Sequence, residues 1–424
     1  MPRIAANTPV AFVLDLDVNG LAVVRSLGRE SIPVVGLYSK AGDIGRFSKY
    51  CTAVRLPEGI VDSELTDFVL KLADRFDEKP VLFPTTDAYA QWVSDEQVRL
   101  QDRFLFHANE RDLFTKLNSK LGIISLQDEH NMPAPWTRHY LSMRDFEAEV
   151  SDIPTPVIVK PVDTFSRCLP DKAKNVLFSD SDPLVDYVAA HPDHLQNMVF
   201  QQVVTSGDGH ILISTVLLDR ESQPVMWYTG RKLRQHLPDY GVTTFGVSEV
   251  NEGLAQTSID FMRALGYRGI CTLEFSEDRK TGEHFFLEVN LRSYYHNQLF
   301  YDCGLNFPHA EYALLTGRPL AQRVMRLQRE GLHWLDFNRD FGSFYHKMRN
   351  GELGLRAWLR SLAKARSFAA FATDDLKPWL RRSFSLVAIL AGFLLQKIRR
   401  RSGDTSTLTP PQPPRGVRGR GTSR

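Results

Sequence analysis

Two carboxylates and an amide are closely spaced in a segment that is predicted to fold as a β-hairpin, residues 270–290. When its strands pair so that apolar side chains share one face, Glu274 lies directly opposite Glu288 on the other face, and Asn290 follows on that face. Like charges directly opposed across a ladder destabilise it unless they are neutralised. Magnesium neutralises such pairs because it takes carboxylate and carbonyl oxygens and completes its shell with phosphates and water. The spacing therefore predicts a magnesium site, with a solvent-exposed and screened pair as the alternative.

The apolar residues of this hairpin predict its register. With a turn over residues 278–282, Leu273 pairs with Val289 and Phe275 pairs with Leu287. A slip of one residue would turn this apolar set to the solvent, so burial favours the stated pairing.

Two lysines could bring positive charge to the same site. Lys160 ends a strongly apolar predicted strand, residues 157–162, where an unpaired buried charge would be costly. Lys120 lies on a mixed helical segment before the proline-containing connector of residues 131–135, and a lysine there is by itself more often a surface residue. Both lysines favour the interpretation of the hairpin as a metal and phosphate site.

The elements that must position these residues fall into four stretches of chain. Strand–helix–strand alternation over 1–115 predicts a parallel, doubly wound sheet, in which Gly20 is better explained as a turn glycine than as part of a dinucleotide-binding loop. Short strands and turns over 116–320 predict an α+β unit built on antiparallel sheet. Residues 321–401 are predicted to be helical and basic, and 402–424 are predicted to be a disordered tail.

An apolar run with basic flanks, residues 384–395, lies near the end of the helical stretch. It is shorter than the roughly 20 residues that span a bilayer. A helix packed on its own domain is the first interpretation, followed by an interfacial anchor through 376–401 and then by a membrane span. The basic flanks keep peripheral contact with a membrane open as an alternative.

Composition excludes the collagen-like, coiled-coil, disordered and polytopic membrane classes of protein. Hydrophobic residues make up 43% of the 424 residues and charged residues 24%, which are ordinary values for a globular protein. The net charge of +2 gives no electrostatic case for a nucleic-acid partner. The four cysteines have no CxxC spacing and the N-terminus has no signal-peptide pattern. We therefore expect a cytoplasmic protein, with association with the inner face of a membrane as an open alternative.

The succession of motifs resembles the ATP-grasp superfamily over roughly residues 10–320. In chain order, the matching motifs are Lys120, Met132-Pro133-Ala134-Pro135-x-Thr137, Val157-Ile158-Val159-Lys160-Pro161, Gln201-Gln202, Glu274-Phe275 and Glu288-Val289-Asn290-x-Arg292. Residues 19–28 and 231–235 are similar to the carboxylate–amine ligase branch that includes D-aspartate ligases. The resemblance implies a mixed α/β and α+β architecture: a Rossmann-like N-terminal domain, a two-lobed ATP-grasp domain and a helical C-terminal extension.

The resemblance also implies a role for each matching residue. Lys120 and Lys160 would contact the nucleotide phosphates, and Arg292 would stabilise the transferred phosphoryl group. The residues implied at the hinge and nucleoside are Gln201, Gln202, Val203, Val204 and, near the ribose, Asp208. The implied ligands for one or two Mg²⁺ (or Mn²⁺) are Glu274, Glu288 and Asn290. Arg231, Lys232 and Arg234 could bind the acceptor carboxylate, with a solvated basic patch as the alternative.

The implied chemistry is ATP-dependent ligation of a small carboxylate and an amine, an amino acid or a peptide-like molecule. An acyl phosphate would form with release of ADP, and the amine would then displace phosphate to give an amide. His296 is a candidate base, with a pocket hydrogen-bonding role as the alternative. The sequence departs from the family at Gln202, where a glutamate is more usual, and at the lid segment 163–171. The alternatives are a carbamoyl-phosphate or carboxylase-type ATP-grasp enzyme and a membrane-peripheral ATP-binding adaptor.

Overall fold

The computed structural model describes residues 8–162, 168–173, 175–236, 241–320 and 328–384, which form three β-sheets with helices packed around them. The predicted disordered tail, most of the apolar run 384–395 and most of the lid segment 163–171 lie outside the described residues. Among the described helices, none is long and apolar enough to cross a membrane.

The N-terminal sheet is parallel, as predicted, and has the strand order β3-β2-β1-β4. Its strands are β1 (Ala11–Leu14), β2 (Val34–Tyr38), β3 (Thr52–Arg55) and β4 (Val81–Pro84), and β3 was not predicted. The helices that follow in this part of the chain are α1 (Val18–Arg29), α2 (Asp62–Ala73), α3 (Asp87–Asp95), α4 (Gln97–Leu100), α5 (Arg111–Asn118) and α6 (Lys120–Glu129).

Helix α1 begins earlier than the predicted residue 21, because the predicted turn is its first turn. A Cβ atom on Gly20 would lie 1.9 Å from the carbonyl oxygen of Asp15. The close approach of the helix to the end of β1 therefore requires glycine at this position, which agrees with the structural role predicted for Gly20.

The second sheet is antiparallel and has the order β5-β8-β6-β7. Its strands are β5 (Thr137–His139), β6 (Val157–Pro161), β7 (Val176–Phe178) and β8 (Met198–Gln202), and it carries α7 (Met143–Glu149) and α8 (Ser181–Ala190). Aromatic contacts among Tyr140, Phe146 and Phe200, with ring centroids 5.4 to 5.6 Å apart, fill the core between this sheet and its helices.

The third sheet has seven strands in the order β13-β12-β9-β10-β11-β14-β15. Its strands are β9 (Ile211–Leu218), β10 (Pro224–His236), β11 (Val242–Ser248), β12 (Gly269–Glu277), β13 (His284–Asn290), β14 (His333–Leu335) and β15 (Ala365–Phe368). Its helices are α9 (Glu252–Ala264), α10 (Asn297–Asp302), α11 (Phe307–Thr316), α12 (Phe337–Arg349) and α13 (Leu355–Leu362). The C-terminal stretch, predicted to be helical, thus also contributes two strands to this sheet.

The predicted hairpin is β12–β13, and its register is partly correct. Leu273 pairs with Val289 and Glu274 pairs with Glu288, as predicted. The predicted pairing of Phe275 with Leu287 is wrong, because a β-bulge shifts the partner of Phe275 to Phe286. A bulge re-aims the side chain of the extra residue. It leaves Phe286 in the apolar core and turns Leu287 toward the cleft described below.

Buried ion pairs join the C-terminal stretch to the rest of the molecule. Arg25 on α1 is fully buried and its Nε atom lies 3.0 Å from a carboxylate oxygen of Asp375. Burial lowers the pKa of Arg25, and the nearby Asp375 carboxylate opposes this shift. Asp375 also accepts a hydrogen bond of 2.7 Å from the Ser48 hydroxyl. A buried charge pair of this kind is costly to break, so the stretch is held against the N-terminal sheet.

Candidate functional site

A cleft of about 520 Å³ is bordered by residues from all three sheets. The sequence-predicted residues that line it are Lys120, Lys160, Gln201, Gln202, Val203, Val204, Lys232, Glu274, Glu288, Asn290 and Arg292. Asp208 and Arg234 do not line it. Side chains from positions more than 150 residues apart thus meet in one cavity of the size typical of small-molecule sites.

The opposed carboxylates of β12 and β13 lie at the wall of this cleft. Glu274 is buried, whereas Glu288 is exposed. One carboxylate oxygen of Glu274 accepts a hydrogen bond of 2.5 Å from Lys232 Nζ, and the other accepts one of 2.7 Å from the Tyr294 hydroxyl. Burial, followed by the Glu274 carboxylate, raises the pKa of Tyr294 well above its usual value, so this hydroxyl stays a donor. Both carboxylate oxygens of Glu274 are therefore held in a fixed orientation by these two hydrogen bonds.

Asn290 and Arg292 continue the site along the chain that follows β13. The Asn290 side-chain oxygen accepts a hydrogen bond of 2.9 Å from Arg292 Nη2. Arg292 also donates to both carboxylate oxygens of Asp87, the first residue of α3, over 2.6 and 3.1 Å. A bidentate pair fixes the plane of a guanidinium. The N-terminal sheet thus orients an arginine that points to the acidic hairpin.

The two predicted phosphate lysines enter the cleft from different elements. Lys160, half-buried on β6, donates a hydrogen bond of 2.6 Å to the Gln201 side-chain oxygen on the adjacent strand β8. Gln201 in turn donates to Thr137 Oγ1 on β5 over 3.2 Å. Lys120 is the first residue of α6, whose N-terminus is capped by the Ser119 hydroxyl. The positive charges lie on rigid elements, so they keep their places without a ligand to order them.

The segment predicted to be the hinge, at the end of β8, has backbone N–H groups that are bonded within the fold. The N–H groups of Gln202 and Val203 donate to the carbonyl oxygens of Trp136 and Pro156 over 2.9 and 2.8 Å. Apolar side chains from the sheets line the same end of the cleft: Ile158, Leu177, Val199, Ile211 and Leu287. Such walls suit a flat, weakly polar ring.

The basic run of residues 231–235 lies in strand β10, and its members have different partners. Lys232 and Arg234 are buried, so the alternative of a solvated basic patch is wrong. Arg234 donates to both carboxylate oxygens of Asp340 on α12 over 2.9 Å each, and Arg231 pairs with Glu249 and Glu277. Of Arg231, Lys232 and Arg234, only Lys232 lines the cleft.

Two further predicted residues lie away from the cleft. The carboxylate of Asp208 pairs with Lys347 Nζ on α12 at 3.1 Å. His296 is fully buried and packs against the Trp334 ring with 4.7 Å between centroids, and among the described residues neither of its ring nitrogens has a hydrogen-bond partner. Burial lowers the pKa of His296 to about 3. His296 does not line the cleft, so the structure does not support either predicted role, as a base or as a pocket hydrogen-bonding group.

Several cleft residues were not found by sequence reasoning. Asp15 follows β1, and Thr85 and Asp87 follow β4, at the carboxyl end of the parallel sheet. Asn19 donates from its amide to the carbonyl oxygens of Thr85 and Ser293 over 2.8 and 2.7 Å, which ties this edge to the segment after β13. The rule that ligands bind at the carboxyl ends of strands in open α/β sheets would have indicated this edge.

Comparisons with known proteins agree with this arrangement. The family model described as "Carbamoyl-phosphate synthase L chain, ATP binding domain" matches residues 246–300, which include the acidic hairpin and Arg292. The D-aspartate ligase of Enterococcus faecium (strain Aus0004) is 21% identical over 261 residues. That alignment covers 58% of this chain and 62% of the ligase, so it spans less than two thirds of that relative's length.

Solved structures share the fold of this chain at low sequence identity. The L-amino acid ligase from Bacillus licheniformis has a TM-score of 0.57 and 16% identity over 77% of this chain and 78% of its own. The biotin carboxylase domain of Hydrogenobacter thermophilus 2-oxoglutarate carboxylase, solved with MgADP, ADP and bicarbonate, has a TM-score of 0.60 and 11% identity over 77% and 73%. N5-carboxyaminoimidazole ribonucleotide synthetase from Thermus thermophilus has a TM-score of 0.56 and 13% identity over 74% and 79%.

Proposed function

We propose that this chain, which has the fold of the ATP-grasp enzymes compared above, is an ATP-dependent carboxylate–amine ligase. The observation that carries the proposal is the single cleft in which two opposed carboxylates, an amide, two lysines and an oriented arginine meet beside an apolar pocket. These groups match a nucleoside triphosphate. The charged groups suit its phosphates with magnesium, and the apolar pocket suits its aromatic base. The similarity to a D-aspartate ligase favours an amine over other acceptors.

The donor set fits magnesium. Glu274, Glu288 and Asn290 present carboxylate and amide oxygens to the cleft, and magnesium is usually held by one or two carboxylates together with substrate phosphates. Lys232 already neutralises Glu274, so magnesium binding there competes with this lysine. When bound, the ion would neutralise charge on the β- and γ-phosphates.

The proposed reaction has two steps that these side chains can support. A carboxylate oxygen attacks the γ-phosphorus of ATP, which gives an acyl phosphate and ADP. The acceptor nitrogen loses a proton to water and, as a neutral amine, attacks the acyl carbon; the bond from carbon to the phosphate oxygen breaks, phosphate leaves, and the second proton of the nitrogen passes to phosphate or water. The charge on the phosphoryl group is stabilised by the positively charged side chains of Lys120, Lys160 and Arg292. Such positioned charges supply most of the catalysis in phosphoryl transfer. Lys232 would bind the substrate carboxylate when magnesium takes its present partner Glu274, and Arg234 positions β10 through its pair with Asp340.

Trapping of the acyl phosphate tests the proposal. The protein is incubated with MgATP, a panel of amino acids and N-acetyl amino acids as carboxylates, and hydroxylamine, which converts an acyl phosphate to a hydroxamate. We expect hydroxamate and ADP to form in equal amounts with at least one carboxylate. ADP release that requires bicarbonate and gives no hydroxamate would instead support the carboxylase-type alternative.

Replacement of Lys232 by glutamine separates substrate binding from nucleotide binding. A hydrogen bond to a charged group contributes about 1.5 to 3 kcal/mol, so we expect the KM for the carboxylate to rise about 10- to 100-fold. The affinity for the nucleotide should not fall, because Lys232 is paired with Glu274 and is not one of the lysines predicted to bind the phosphates. Lys71→Gln, an exposed substitution on α2, is the matched control. An unchanged carboxylate KM would contradict the role of Lys232.

We also propose that the C-terminal part of the chain contacts an anionic membrane surface, which would place the protein at the cytoplasmic face of that membrane. Residues 377–384 are helical, and Leu376, Leu380 and Phe384 are 43%, 41% and 69% exposed along one side. Four positions separate these residues, which is the spacing of one helix face. The sequence continues with the apolar run and the basic residues 397–401. Together they form the pattern of an interfacial anchor.

Co-sedimentation with vesicles tests this contact. We expect the full chain to bind vesicles that contain phosphatidylglycerol and to be released by salt. A chain that ends at Phe384 should lose binding while it keeps Arg382, which pairs with Asp336 at 2.9 Å and so stays part of the fold. Equal binding of both chains would contradict the anchor.

A further inference from the structure

The side of the cleft opposite the hinge is formed by the carboxyl end of the N-terminal sheet. The loop after β1 contributes Asp15 and Asp17, the segment after β2 contributes Lys40, and the segment after β4 contributes Asp87. None of these residues has a role in the nucleotide site as proposed above except Asp87, which orients Arg292. The edge is therefore available for the second substrate.

Asp15 differs from the other acidic residues of this edge because it is buried and yet faces the cavity. It is 6% exposed and lines the cleft. One carboxylate oxygen accepts the backbone N–H of Asp17 over 2.9 Å, and within the described part of the chain no group donates to the other oxygen. The second oxygen is not among the fully buried unpartnered atoms of the described residues, so it is open to the cleft, where a cationic ligand can reach it. Burial raises the pKa of Asp15 to about 6, although the hydrogen bond from the Asp17 N–H and the charge of Lys40 both lower it.

The neighbouring charges favour a cation over an anion. Asp17 lies 3.4 Å from Arg339, and Asp43, also buried, accepts the backbone N–H of Lys40 over 3.0 Å. The carboxylates of Asp17 and Asp43 and the ammonium group of Lys40 act on Asp15, and Arg339 adds a second cation through its pair with Asp17. Burial, Asp15 and Asp43 raise the pKa of the Tyr89 hydroxyl to about 12. Three carboxylates, including Asp15, against two cations favour a cationic ligand at this position.

A metal ion is a poor occupant of the same position. The other carboxylates of this edge that line the cleft already have cationic partners. The carboxylate of Asp17 is turned to Arg339 and that of Asp87 to Arg292. An organic ammonium group needs one strong acceptor, such as the second oxygen of Asp15, and a polar surround.

The edge is also joined directly to the phosphoryl end of the cleft. Thr85 Oγ1 donates to the carbonyl oxygens of Leu14 and Asp15 over 2.7 and 3.2 Å. The Asn19 amide bridges Thr85 and Ser293, and Ser293 follows Arg292 in sequence. A ligand at Asp15 would thus be held on the same hydrogen-bonded frame that orients the phosphoryl-binding arginine.

We propose that Asp15 forms the subsite for the ammonium group of the acceptor, which makes the acceptor a cationic amine. The proposal rests on the ligase function above, since it names the second substrate of that site. It separates this chain from carboxylases of the same fold, whose acceptor need not carry a positive charge.

Asp15→Asn is the variant that tests the subsite with the least damage to the fold. Asp15 has a φ of 72°, a left-handed conformation that asparagine tolerates, and the asparagine oxygen can still accept the Asp17 N–H. Asp74→Asn, which removes the charge of a carboxylate 66% exposed in a surface ion pair, is the matched control.

Thermal shift with amino-acid amides measures the binding of an ammonium group. These probes carry an ammonium group and no carboxylate, and their N-acetyl derivatives carry neither. With a non-hydrolysable ATP analogue and Mg²⁺ at pH 7, where an α-ammonium group is mostly protonated, we expect at least one amide of a D and L panel to stabilise the wild type and Asp74→Asn. Asp15→Asn should need at least about tenfold more of the same amide. An equal response of Asp15→Asn, a response to the N-acetyl derivatives, or no response of the wild type would overturn the proposal.

The hydroxylamine assay distinguishes failure of this subsite from failure of the ligase function. Hydroxylamine is uncharged at pH 8 and does not need an ammonium subsite. Asp15→Asn should therefore still form hydroxamate while it loses ligation of amines. Hydroxamate formation with an unchanged amine KM in Asp15→Asn overturns only the subsite, whereas no hydroxamate in the wild type overturns the ligase function itself.

Discussion

Glu288→Gln lowers the rate of ATP-dependent hydroxamate formation by about 10³-fold, because a bound metal contributes several kcal/mol of charge stabilisation in phosphoryl transfer. Glu288 and Glu274 face each other across the hairpin, and Glu274 is already paired with Lys232. Glu288 is thus the more exposed of the two carboxylates that magnesium would use. The measurement is the initial rate of ADP release at saturating ATP.

The matched control is Glu283→Gln, which removes the same charge from the exposed turn of the same hairpin. Its rate should stay within about twofold of the wild type. A Glu288→Gln variant that is as active as Glu283→Gln would show that the opposed carboxylates are only a screened surface pair.

Asp340→Ala lowers the free energy of unfolding by about 3 to 5 kcal/mol, the usual cost of removing one partner of a buried ion pair. Asp340 is fully buried and accepts hydrogen bonds from Arg234, the Thr244 hydroxyl and the indole N–H of Trp358. The alanine variant would leave the Arg234 guanidinium buried without a carboxylate. Urea unfolding followed by circular dichroism measures the change.

The control for this substitution is Asp74→Ala in the exposed pair of Asp74 with Arg103, 66% and 37% exposed. Exposed pairs contribute at most about 1 kcal/mol, so the control should unfold near the wild-type midpoint. A loss in Asp340→Ala as small as that of the control would mean that the C-terminal stretch does not stabilise strand β10.

Periodicity and turn residues predicted several elements of the site, including the hairpin β12–β13, but not strand β10, which carries Lys232. The alternation of apolar residues on β12 and β13 predicted that Glu274 lies opposite Glu288, because burial of the apolar face favours one register. The bulge that turns Leu287 into the cleft could not be predicted, since it depends on how Phe286 packs against Phe261 and Phe275. Strand β3 was missed because only four residues form it and none of them is fully buried.

The partners of the charged residues were the least predictable part of the site. Arg292 and Asp87 are 205 residues apart, and Arg234 and Asp340 are 106 apart. Nothing local to either arginine indicates whether its partner is a substrate or an aspartate of another element. The hairpin spacing and the family resemblance therefore located the cleft residues, whereas tertiary contacts decided which of them pair with other residues of the fold.

The measurement that tests the central claim most directly is thermal unfolding with a non-hydrolysable ATP analogue, with and without Mg²⁺, on the wild type and Glu288→Gln. A ligand at about 100 times its Kd stabilises a protein by about 2.7 kcal/mol. We expect a shift in the wild type that requires Mg²⁺ and is reduced in Glu288→Gln. No shift in the wild type, or an equal shift in both proteins, would contradict a magnesium–nucleotide site at the hairpin.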